Sequence, residues 1–157
     1  MKKEALIAAL ALTIGTFVGA YAHDASAQDD AFKALFAARS LKCEIGPGTA
    51  AKWSDAKISL AKDSANLTVH FDSVDVKSGK ARLIGNQGAG DVAVWGTASG
   101  ITFVEMTGFG NLVITTVFPQ QIRGRPEFYA VMSRHIAGFG GNPIPSQYHG
   151  SCKVWPK

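Results

Sequence analysis

The chain has 157 residues, 46% of them hydrophobic and 18% charged, with a formal net charge of +4. That length holds one domain with one core. The basic residues are scattered apart from Arg123 and Arg125, with no basic stripe interleaved with aromatics, which argues against a nucleic-acid partner.

The N-terminus is Met1-Lys2-Lys3-Glu4 followed by an apolar run from Ala5 to Ala20. A basic end and a modest apolar run are the n-region and h-region of a secretory signal peptide. The run is shorter than the roughly 20 apolar residues that span a bilayer. Two small-x-small sites follow, Ala20-Tyr21-Ala22 and Ala25-Ser26-Ala27. Cleavage after Ala27 is favoured because polar Gln28-Asp29-Asp30 follows it; cleavage after Ala22 is the alternative. The expectation is a signal peptide over residues 1–27 and one mature domain over 28–157, periplasmic or secreted, with bacterial-type export. No stable membrane insertion is expected after cleavage.

Asp29 and Asp30 open a short amphipathic stretch in which Phe32, Leu35 and Phe36 fall at i, i+3 and i+4. The spacing predicts a helix over about 30–39, with acids in its first turn and an aromatic face to bury. From Leu41 onward the texture is β. Candidate strands are 41–46, 56–61, 66–76, 81–86, 91–97, 101–107, 111–118, 127–136 and 147–154, separated by turn signals such as Lys62-Asp63-Ser64, Ser78-Gly79, Ser99-Gly100 and Phe109-Gly110-Asn111. Eight or nine short, mainly antiparallel strands predict an all-β barrel with one short N-terminal helix; a β-sandwich is the alternative. The apolar phase of 66–72 (Leu67, Val69, Phe71) shifts to Val74 and Val76, which predicts a bulge near Ser73.

Only Cys43 and Cys152 are present, 109 positions apart, far from the C-x-x-C-like spacing of a thiolate metal site. In an oxidising compartment such a pair is most simply a disulfide. Leu41, Cys43 and Ile45 share one strand face, and Tyr148, Gly150, Cys152 and Val154 share another. The bridge is therefore expected inside, tying the first strand to the last, as barrel closure requires. A small exported barrel with an N-terminal helix and a first-to-last tie resembles the lipocalin-like calycins in architecture, over roughly residues 28–157. Calycins often place Gly-x-Trp at the first strand; here Gly48 and Trp53 stand five apart and follow it. A barrel of about eight strands has an interior either filled by side chains or just large enough for one small ligand.

The densest polar and aromatic region is the C-terminal third. Ser133, Arg134 and His135 precede the loop Gly138–Pro145, and Gln147, Tyr148 and His149 follow it. If the flanking strands pair, these six side chains form a candidate ligand-binding rim, with Arg134 for an anion and His135 and Gln147 as hydrogen-bond partners. Phe128, Ala130, Met132 and Arg134 share the more apolar face of their strand, which turns Arg134 inward toward a carboxylate, a ring or an anionic ligand. Glu44 and Glu105 are candidate carboxylates, and Trp95 and Trp155 candidate rings. Ser133 with His135, or Ser146 with His149, are the pairs a hydrolase would use, although neither serine sits in a Gly-x-Ser-x-Gly elbow. His70, His135 and His149 show no ligand spacing, so neither a metal nor another cofactor is expected. The reading is non-enzymatic binding of a small apolar ligand or of an envelope protein. A hydrolase and an envelope structural or interaction protein are the alternatives.

Overall fold

The computed structural model describes residues 26–55, 57–86, 88–138 and 142–156. The n-region, the h-region and the Ala22 site lie outside the described residues, as do positions 139–141 of the Gly138–Pro145 loop. Helix α1 covers 26–37. Eight strands follow: β1 (Leu41–Ser54), β2 (Lys57–Asp75), β3 (Lys80–Gly85), β4 (Gly88–Thr97), β5 (Gly100–Met106), β6 (Leu112–Gln121), β7 (Glu127–Ala137) and β8 (Pro143–Val154). Every strand pairs antiparallel with its chain neighbours, and β1 pairs with β8, so the sheet closes into a ring. The β-sandwich alternative is thereby corrected: two packed sheets would leave edges between β1 and β8, and here those edges are paired.

Alternation fills the ring. Leu41, Cys43 and Ile45 of β1, Val69 and Phe71 of β2, Val92 and Val94 of β4, Ile101 and Phe103 of β5, and Phe128, Ala130 and Met132 of β7 are all buried. Their neighbours in sequence, such as Lys42, Glu44, Asp91, Tyr129 and His135, face outward with half-exposed or exposed side chains. An apolar interior and polar exterior is the reverse of the alternation of an outer-membrane barrel. No helix among the described residues is long and apolar enough to cross a membrane.

Helix α1 lies against one end of the ring. Ala31 and Leu35, four residues apart, are buried with Ala38, which follows the helix. Phe32 stacks on Phe36 with centroids 4.3 Å apart, and Phe36 lies over Gly96 and Val76. A Cβ built on Gly96 would stand 2.6 Å from both. The Gln28 side-chain amide donates to the Pro119 carbonyl at 3.1 Å. The observed helix begins earlier than the expected 30–39, and the favoured cleavage point, Ala27, falls in its first turn. Beyond the helix, the Val74 amide donates to the Arg39 carbonyl at 3.0 Å, and the Arg39 guanidinium to the Val74 carbonyl at 2.8 Å. Those bonds hold the helix end against the bulge at Ser73, where φ is 52° and the β2–β3 register slips between Asp72 and Asp75. The slip turns Val74 inward under α1, as the change of apolar phase predicts.

One expected boundary is corrected. Segments 56–61 and 66–76 are a single 19-residue strand, β2, so eight strands form and not nine. Lys62-Asp63-Ser64, expected as a turn, lies inside it. The chain absorbs its irregularity as a bulge instead. The β1–β2 register shifts between the pairs Ile45↔Leu67 and Pro47↔Ser64, one more residue on β2 than on β1. Asn66 takes up the difference with φ of 47°, a conformation asparagine tolerates better than most residues. The reversal comes after Ser54, at Asp55, whose φ is 48°.

Cys43 and Cys152 are bridged, stand directly opposite each other across the β1–β8 seam, and are fully buried. The bridge ties the first strand to the last.

Candidate functional site

The end of the ring opposite α1 is hollow. A cavity of about 570 Å³ runs between Val69, Phe71, Leu83, Val92, Phe103 and Met132, and reaches the β3–β4 and β5–β6 hairpins at Asn86 and Phe109. Its floor is aromatic: Phe71 and Phe103 stack with centroids 3.8 Å apart. The strands explain why the space exists. On this half the inward position of β4 next to Val92 is Gly90, where a side chain would meet nothing within 4 Å. Apolar cavities of 300–1,000 Å³ with a few placed polar groups are the usual shape of a small-molecule site.

The polar groups in and around the cavity come from four strands. Arg134 of β7 lies two residues beyond Met132 on the inward face and lines the cavity. Its guanidinium carbon stands 5.8 Å from the Tyr148 ring centroid. Tyr148 of β8 is buried, and its hydroxyl donates to the Asp63 carboxylate at 2.7 Å. Gly48 on β1 makes room for this ring, since a Cβ there would stand 2.6 Å from Tyr148 Cδ1. The Tyr148 hydroxyl, then the Ser64 amide, hold Asp63 below the usual carboxylate range, with Lys52 and Arg134 adding attraction. Glu105 of β5 lines the same cavity. Burial pushes its carboxyl above the usual range, and Arg134 pulls it back. Among the described residues the Arg134 guanidinium has no hydrogen bond and no ion pair within 4.0 Å. It therefore has donors to offer an incoming acceptor, and a ring and two carboxylates to fix its position.

The six rim residues expected from sequence separate by parity. Arg134 and Tyr148 are brought together inside. Ser133, His135, Gln147 and His149 stand on the outer face. There the Gln147 side-chain amide donates to the Ser133 hydroxyl at 3.4 Å. His149 borders a separate shallow outer depression with Glu44, Thr68 and Ser151. Among the described residues neither His135 nor His149 has a serine or carboxylate partner, so no serine–histidine–acid array is assembled there. No group of three or more His, Cys, Asp or Glu side chains with metal-site geometry occurs among the described residues. The ring beneath Arg134 is Tyr148, and not Trp95 or Trp155. Trp95 is exposed, and Trp155 packs outside against His70, Lys42 and Lys153. Of the two candidate carboxylates, Glu105 faces Arg134 and Glu44 points to solvent.

Asp63 is the site residue the sequence reading missed. Between Lys62 and Ser64 it has the look of a turn. The signal was present in the long run of strand-compatible residues on either side, which only the bulge at Asn66 brings into phase. No family model, no curated protein and no solved structure matches this chain.

Proposed function

We propose that the protein binds one small molecule with an apolar body and an acceptor-bearing, anionic head in the ring cavity, as lipocalin-like barrels do, and catalyses no reaction. The observation that carries this is the cavity itself: about 570 Å³, floored by Phe71 and Phe103, with Arg134 at its polar end. The apolar body lies against Val69, Leu83, Val92 and Met132, where each CH₂ removed from water is worth about 0.8 kcal/mol. The head meets Arg134, whose planar fork suits a carboxylate or related oxyanion. Met106 and Phe109, the first mostly and the second almost wholly exposed, form an apolar lip on the β5–β6 hairpin beside the entrance. The domain works outside the cytoplasm, in the periplasm or beyond, after removal of residues 1–27. The apolar run behind Lys2-Lys3 and the Cys43–Cys152 bridge support that location, because such bridges persist in oxidising compartments.

The test uses two dyes of similar size, anionic 8-anilinonaphthalene-1-sulfonate and neutral N-phenyl-1-naphthylamine. Both should give saturable fluorescence enhancement with one site per chain. Arg134→Gln should weaken the anionic dye about tenfold, the loss of one charged hydrogen bond of about 1.5 kcal/mol, and leave the neutral dye near its starting affinity. Leu83→Trp, which fills the cavity, should abolish both. Absence of saturable binding for either dye, or equal binding to the filled cavity, overturns the proposal.

A further inference from the structure

The β1–β2 hairpin outruns the ring. β2 pairs with β3 only from His70 to Asp75, and β1 pairs with β8 only as far as Ala50. Residues 57–64 of β2 are therefore a ribbon edge with β1 on one side and solvent on the other, and every one of them is exposed. Ile58 and Leu60 are 58% and 76% exposed on this edge, with Trp53 beside Ile58 across the hairpin. A two-stranded ribbon with an open edge is marginal alone and is a template for another strand.

We propose that this edge pairs antiparallel with the same edge of a second copy of the chain, about a two-fold axis at Leu60. In that register the sequence Lys57-Ile58-Ser59-Leu60-Ala61-Lys62-Asp63 sets apolar against apolar at its centre and opposite charges at its ends. Leu60 faces Leu60 of the other copy, Lys57 faces Asp63, and the symmetry makes the ion pair twice. Ile58 meets Lys62, whose alkyl stem covers it while the ammonium reaches water. Shifting the axis to lie between Ser59 and Leu60 sets Lys57 against Lys62. Moving it to Lys62 sets that residue against itself. Directly opposed like charges are destabilising in antiparallel pairs. Lysines on an edge ordinarily keep strands apart; here Lys57 finds an acid in the matching strand. Asp63 serves two partners without conflict, because a carboxylate has about four acceptor positions and the Tyr148 hydroxyl uses one. A C2 contact of this kind is isologous and closed, so it stops at two copies.

Sedimentation equilibrium on the exported, disulfide-bonded chain should show a reversible monomer–dimer equilibrium. Leu60→Lys, which sets two ammonium groups opposite each other, should weaken it at least about tenfold. Its unfolding midpoint, read where the parent is monomeric, should lie close to that of the parent, since the Leu60 side chain is mostly exposed. Register is read by single cysteines under mild oxidation: Leu60→Cys should cross-link to itself efficiently and Ile58→Cys should not. A monomer throughout the concentration series, a dimer indifferent to Leu60→Lys, or stronger cross-linking at position 58 than at 60 overturns the proposal. None of these readouts depends on what occupies the cavity.

Discussion

Glu105 lines the ring's hollow and is partly buried there, and that placement has a thermodynamic sign. Its carboxyl is raised by burial, so the folded state holds the proton more tightly than the unfolded chain does. Its contribution is fully favourable below the unfolded-state value and is lost as pH rises through the folded-state value. Glu105→Gln should therefore raise the unfolding midpoint at neutral pH, and the advantage should shrink on acidification through the weakly acidic range, as read by thermal unfolding across pH. Asp63 has the opposite sign. Its carboxyl is lowered, chiefly by the Tyr148 hydroxyl, so its contribution is present at neutral pH and lost as pH falls through the folded-state value. Tyr148→Phe should steepen no acid-range dependence and should remove part of the one Asp63 provides. At Gly96 the constraint is space: Phe36 and Val76 occupy the volume a side chain would need. Gly96→Val should loosen α1 and expose residues 28–37 to proteolysis before the ring itself unfolds.

The elements differ in how far their sequences announce them. Strand β7 was readable to within one residue of its end, because Phe128, Ala130, Met132 and Arg134 share one face and its ladder with β8 has no slip. The same parity that turned Arg134 inward sends Ser133 and His135 out, and with them the expectation of a six-residue rim. Strand period 2 resolves such a cluster, whereas proximity along the chain does not. Strand β2 was half readable. The bulge at Ser73 showed as a change of apolar phase, but the one at Asn66 lies among small and polar residues with no apolar phase to break. Helix α1 was legible from three apolar residues, and its docking was not, because what receives Phe36 is the absence of a side chain at Gly96. The helix contributes a core anchor in Leu35, which is fully buried. Leu35→Ala should cost about 2–4 kcal/mol in denaturant unfolding, the range for large-to-small changes in a core.

At the scale of the molecule, a continuous meander is closed by one seam and one bridge. Cross-linking over a 109-residue separation restricts the unfolded chain, and the chain-entropy model assigns that restriction about 5 kcal/mol. Replacing Cys43 and Cys152 together by alanine should lower stability by up to about that amount in urea titration, with the ring still closed at low denaturant. Neither cysteine lines the cavity, so dye binding by the folded fraction should persist in that variant. The meander carries a further consequence, in the order of events along the folding path. Seven of the eight strand pairings join neighbours in sequence, and each is reached by closing a short loop. Only β1 with β8 must wait for nearly the whole domain to be in place, and such distant closures are slow because their entropy is lost before any contact repays it. With the bridge intact, that distant pairing is already half made. Oxidised chains should refold faster than reduced ones, and the difference should lie in the refolding limb of the chevron more than in the unfolding limb.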